Sequence, residues 1–112
     1  MPASGVEWLQ KWYLEQCNGV WEHSRGVSID TMDNPGWLIK INLRGTSLET
    51  KALARDVLLS VSDPTPDQME PGDRWVECSI RDGCFVGAGG ALDLSVLIDS
   101  FREWARPETE TG

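Results

Sequence analysis

The chain has 112 residues, 40% of them hydrophobic, with 11 glycines: enough apolar material for one modest core and too much for general disorder. Eighteen acidic residues against ten basic ones give a net charge of −8, which excludes a basic nucleic-acid groove or a polybasic membrane-surface patch. Six of the nine aromatic residues are Trp, a side chain that is costly to expose and enriched at the centres of interfaces.

From Val6 to Cys17, the residues Trp8, Leu9, Trp12, Tyr13 and Cys17 recur at helical spacing, with Lys11, Glu15 and Gln16 between them. Ser4 and Glu7 stand at capping-box spacing, and Asn18-Gly19 suits the left-handed conformation that ends a helix. A β region follows. Val27, Ile29 and Thr31 alternate with Ser28 and Asp30, and Trp37, Ile39, Ile41 and Leu43 alternate with Leu38, Lys40 and Asn42. Between them Asp33-Asn34-Pro35-Gly36 concentrates four turn formers, so the two strands are expected to form an antiparallel hairpin. Leu48 to Asp56 reads as a short irregular or helical entry to a third strand over Asp56 to Ser62.

Asp63 to Asp73 holds three prolines, four acids and no cation, the composition of a solvated loop. A fourth strand over Arg74 to Arg81 sets Val76, Cys78 and Ile80 on one face and Trp75, Glu77 and Ser79 on the other. Asp82-Gly83 is a strong hairpin signal, so Cys84 to Val86 should return as a fifth strand. Gly87-Ala88-Gly89-Gly90 reads as a flexible passage into a last helix, with Asp93 placed to cap it. In that helix Leu94, Leu97, Ile98, Phe101 and Trp104 fall three and four apart, and Pro107 stops it. The expected fold is α+β: an antiparallel sheet of about five strands, with an N-terminal and a C-terminal helix packed on one face. Residues 1–112 are expected to be a single domain with its core at about 6–105 and a polar tail at 107–112.

Cys17, Cys78 and Cys84 are an odd count without a CxxC pair, which fits reduced thiols in a cytoplasmic protein. No signal peptide opens the sequence, and charged residues interrupt every long apolar run. With one histidine, His23, and scattered carboxylates, no metal site is expected. The glycines at 87, 89 and 90 do not match a dinucleotide fingerprint, and no cofactor is expected. One enzymatic alternative is a sulfurtransferase-like thiolate at Cys84, held over backbone N–H groups of the glycines that follow; Phe85 and Val86 occupy part of that cradle. Two features point instead to binding. The acidic loop and the neighbouring strand offer Asp63, Asp67, Glu70, Asp73, Trp75 and Glu77 as partner contacts, with Glu22, Asp30 and Asp33 as a second patch. Trp8, Trp12 and Trp104 lie on helix stripes and are expected in the core, whereas Trp21, Trp37 and Trp75 are open between core and surface.

Trp8-Leu9-Gln10-Lys11-Trp12-Tyr13, Cys17-Asn18-Gly19, Trp21-Glu22-His23 and the run Gly26 to Trp37 with Asp33-Asn34-Pro35-Gly36-Trp37 together resemble the immunity protein 53 family of bacterial polymorphic toxin systems. Trp75, Cys78, Phe85, Gly87-Ala88-Gly89-Gly90 and Phe101-Arg102-Glu103-Trp104 extend the resemblance over roughly Val6 to Trp104. It implies a small cytoplasmic α+β protein that is no enzyme, needs no cofactor, and protects its producer by binding a toxin domain. The acidity of the chain makes a nuclease, whose cleft is basic because it holds phosphate, the expected class of toxin. The expected partner is therefore a cognate toxin protein, not nucleic acid or membrane, and the chain itself is expected to be a monomer or weak homodimer. An exposed Trp face that makes a homodimer is a further alternative.

Overall fold

The computed structural model describes residues 4–33, 35–61 and 74–106, without the side chains of residues 60 and 61. The elements in chain order are α1 (Gly5–Gln16), α2 (Trp21–Ser24), β1 (Val27–Met32), β2 (Gly36–Asn42), α3 (Glu49–Ala54), β3 (Val57–Val61), β4 (Val76–Arg81), β5 (Cys84–Gly90) and α4 (Leu94–Trp104). The five strands form one antiparallel sheet in the order β1-β2-β5-β4-β3. The β1–β2 hairpin meets the β3–β4–β5 meander along β2 and β5, and α3 lies in the connection from β2 to the far edge strand β3. This is the α+β architecture expected from the sequence, with the terminal helices on one face.

That face is apolar because its strand positions alternate. Ile39, Ile41, Phe85, Cys78 and Ile80 all share it and are buried. Phe101 of α4 is the hub of the core, with ring centroids 5.0 Å from Trp12, 5.2 Å from Phe85 and 5.6 Å from Trp8. Trp12 in turn meets Trp21 edge to face at 5.8 Å. Such aromatic pairs add about 0.5–1.5 kcal/mol each beyond the area they bury. Most of the tryptophan surplus is thereby absorbed. Trp12 and Trp21 are buried, and Trp8, Trp37 and Trp104 are half-buried against the same core. The expectation for the helix stripes holds, and Trp21 and Trp37 join them.

Local chemistry explains the ends of the elements. The Ser4 hydroxyl accepts from the Glu7 N–H at 3.1 Å and caps α1 as its spacing predicts. Asn18 does more than end α1. Its Oδ1 accepts from the N–H groups of Val20 and Trp21 and opens α2, a helical turn absent from the sequence reading. The Asp82-Gly83 turn has both residues at positive φ, 51° and 73°, as a two-residue hairpin of the type I′ class requires.

Two expectations are corrected. Gly87-Ala88-Gly89-Gly90 is no flexible passage: it is the second half of β5, paired with β2 on one side and β4 on the other. Glycine is needed there because a Cβ at Gly87 would stand 3.0 Å from Ile39 Cγ2, and one at Gly89 would stand 3.0 Å from the Trp75 carbonyl oxygen. The missing side chains let α4 settle onto the sheet, with Leu97 within 3.4 Å of both ideal Cβ positions. The second correction is Asp93, which precedes α4 but makes no side-chain cap. Its buried carboxylate accepts from Arg74 Nε at 2.5 Å and from the Trp75 N–H at 2.9 Å, tying the start of β4 to the start of α4.

Candidate protein-binding surface

The helices cover one face of the sheet. On the other, strand register lines up side chains into rows. Asp30 pairs with Leu38, Leu38 with Ala88, and Ala88 with Glu77, so two acids flank an apolar strip. At about 4.8 Å per strand the two acids stand about 14 Å apart. The next row reads Ser28, Lys40, Val86, Ser79 and Leu58. Leu38 and Leu58 are 38% and 58% exposed, and Asp30, Lys40 and Glu77 are exposed. Arg81 pairs with Cys84 at the end away from Asp30 and Glu77, where Asp56 borders the same strip.

Trp75 stands at the acidic end. Its carbonyl accepts from the Gly90 N–H at 3.0 Å, which continues the β4–β5 register by one residue beyond Val76 and Gly89. Alternation then sets its ring on the same face as Glu77. It is half-buried without belonging to the core packing, unlike the other five tryptophans. Beside it the row carries Gly90 and Gly36, which leave a shallow floor, and then Met32. Asp33 lies in the turn after β1 at this same end and is exposed. The Asp93 carboxylate fixes the Trp75 backbone from the core side.

Trp75, Glu77, Asp30 and Asp33 are thus brought together at one end of the open face. Asp63, Asp67, Glu70 and Asp73 lie outside the described residues; β3, which precedes them in the chain, ends at Val61, the partner of Glu77. Glu22 does not join the others. It sits at the α1–α2 corner, where its two carboxylate oxygens accept from the Asn18 and Gly19 N–H groups at 2.8 and 2.6 Å. The N–H of Glu22 itself, and then those of Asn18 and Gly19, hold its carboxyl below the ordinary value of 4.5, with the His23 charge adding to the effect. His23, the next residue, is exposed. Leu38 and Leu58 were absent from the candidate contacts. Their signal was the alternation itself, which assigns Leu38 to the face of Lys40 and Asn42.

The thiolate alternative loses its cradle. The glycines after Cys84 are strand residues with pairing partners on both sides, and the Cys84 Sγ, buried, lies 3.8 Å from the Asp82 carbonyl oxygen. Among the described residues no group of three or more His, Cys, Asp and Glu side chains is placed to hold a metal ion. No helix among them is long and apolar enough to cross a membrane.

Two of the tryptophans in the segments that carry the resemblance have structural roles. The Trp21 Nε1–H donates to the Asn42 carbonyl at 3.0 Å, and the Trp37 Nε1–H donates to the Ala91 carbonyl at 3.0 Å, so both indoles bolt strand ends to neighbouring loops. No curated protein and no solved structure matches the chain significantly. The family model described as immunity protein 53 matches residues 6–106, from the first turn of α1 to just past α4. The chain belongs to the immunity protein 53 family.

Proposed function

We propose that this chain neutralises a toxin domain of a bacterial polymorphic toxin system by protein–protein contact, acting in the cytoplasm and without catalysis. Family membership supports the immunity role. The observation that carries the surface is the row Asp30, Leu38, Ala88 and Glu77 on the sheet face that no described helix covers, beside half-buried Trp75. An apolar strip between acids suits a partner whose own apolar patch is ringed by cations. A nuclease domain fits best, because its cleft must hold phosphate. Acids steer the encounter and a Trp anchor slows release.

The proposed contacts are Trp75, Glu77, Asp30 and Asp33, together with Asp63, Asp67, Glu70 and Asp73 of the segment between β3 and β4. The acidity of that segment and of the tail strengthens the steering. Six of the eighteen acids and none of the ten bases fall within residues 62–73 and 107–112.

The test is titration of the purified cognate toxin domain, by calorimetry, at two salt concentrations. A complex tighter than micromolar is expected, weakened by salt. Trp75→Ala is expected to cost about 2 kcal/mol, or roughly thirtyfold in affinity. Absence of a complex at physiological salt overturns the immunity reading. Tight binding that ignores salt and all of these substitutions overturns the surface alone.

A further inference from the structure

We infer that the free edge of β1 pairs with β1 of a second copy of this chain. β1 is the outermost strand, and no described strand covers its far side. The Asn42 N–H donates to the carbonyl of Gly26 at 3.1 Å, which sets the phase of the ladder. Ser28 and Asp30 therefore turn their backbone groups towards β2, while Val27, Ile29 and Thr31 turn theirs outward. The strand carries no proline, no lysine and no bulge, the devices that blunt an exposed edge.

The inner face beside this edge is incompletely covered. Ile29 is 39% exposed, Tyr13 38% and Val6 51%. Between α1, β1 and α4 they border a groove of about 340 Å³ whose lining is almost wholly apolar. Extending the sheet by a second β1 sets Ile29 against its own copy and brings the two grooves together, removing this surface from water.

Charge selects the register. With the twofold axis through Ile29, Val27 faces Thr31 of the second copy, and every outward backbone group of the three residues finds a partner. Ser28 then faces Asp30 of the second copy. Ser28 is also the cross-strand neighbour of Lys40, so a carboxylate of one copy comes within one small side chain of an ammonium of the other, twice by symmetry. Moving the axis to Asp30 sets two carboxylates directly opposite each other, and moving it to Ser28 leaves Thr31 unpaired. The edge is complementary to itself in one register.

Sedimentation equilibrium of the full chain alone, from micromolar to millimolar concentration, tests the pairing without any toxin. The expected mass rises from 12.5 kDa towards twice that value. Ile29→Lys is expected to stay at the mass of one chain. Asp30→Lys and Lys40→Asp, both at exposed positions, are each expected to weaken the dimer by roughly tenfold. The combined Asp30→Lys/Lys40→Asp variant is expected to regain the parent affinity. A one-chain mass across the whole range overturns the inference, as does a dimer indifferent to Ile29→Lys. Charge reversals that add rather than cancel overturn it equally. Each of these outcomes leaves the toxin titration untouched, because the self-pairing does not rest on the immunity reading.

Discussion

Replacing Gly89 by alanine tests the closeness of α4 to the sheet. The new Cβ would stand 3.0 Å from the Trp75 carbonyl oxygen, 3.3 Å from Asp93 Cβ and 3.4 Å from Leu97 Cδ1. The carbonyl has little room to yield. It accepts from the Gly90 N–H at 3.0 Å, and the N–H of the same residue is held by Asp93 at 2.9 Å. Overpacking of this kind costs roughly 1–3 kcal/mol, while replacing glycine in a strand returns about 0.5–1 kcal/mol of backbone entropy. The net expectation is a loss of about 1–2 kcal/mol, or roughly 4–8 °C in Tm for a chain of this size. Gly87→Ala should cost less, because its nearest neighbours are side-chain atoms of Ile39, Leu97 and Phe85 rather than a hydrogen-bonded backbone carbonyl. Urea unfolding followed by tryptophan fluorescence measures both, with Ala88→Ser on the open face as a control expected within about 0.5 kcal/mol of the parent. Gly89→Ala at parental stability with an unchanged m value, or Gly87→Ala as the more damaging of the two, would refute the argument.

Trp21→Phe should destabilise by about 2–3 kcal/mol in chemical denaturation, since it leaves the Asn42 carbonyl without its indole donor and opens space beside Trp12. Asp93→Ala should cost about 1–3 kcal/mol by removing the acceptor shared by Arg74 and the Trp75 N–H; Asp93→Asn, which keeps an acceptor oxygen, should recover part of it. Glu22 supplies a pH signature. Its folded-state pKa lies below the ordinary 4.5, so its contribution is complete above that value and is lost as pH falls through the folded pKa. Acid titration of stability should therefore fall less steeply below pH 4.5 in Glu22→Gln than in the parent; an unchanged acid limb would show that its bonds to Asn18 and Gly19 carry no linkage.

Much of this protein was legible in its sequence. The helical stripe of α4, the alternation in β1, β2 and β4, and the Asp82-Gly83 turn are local patterns, set by side-chain periodicity and by the φ each residue type tolerates. They set the order of the five strands and the two terminal helices and placed Trp75 and Glu77 on one strand face. Tertiary structure decided what those patterns leave open. Only the pairing of β5 with both β2 and β4 distinguishes Gly87 to Gly90 as a strand from a flexible link, because glycine tolerates either state and its role there is to make room for α4. Only packing separates Trp21, bolted into the core, from Trp75, held on the open face; the sequence leaves both open between core and surface. The gathering of Asp30 with Glu77 across three strand spacings, and the diversion of Glu22 to its own backbone, likewise depend on which groups the fold brings within reach. Periodicity fixes the face a side chain occupies, but strand order and helix placement decide what that face meets.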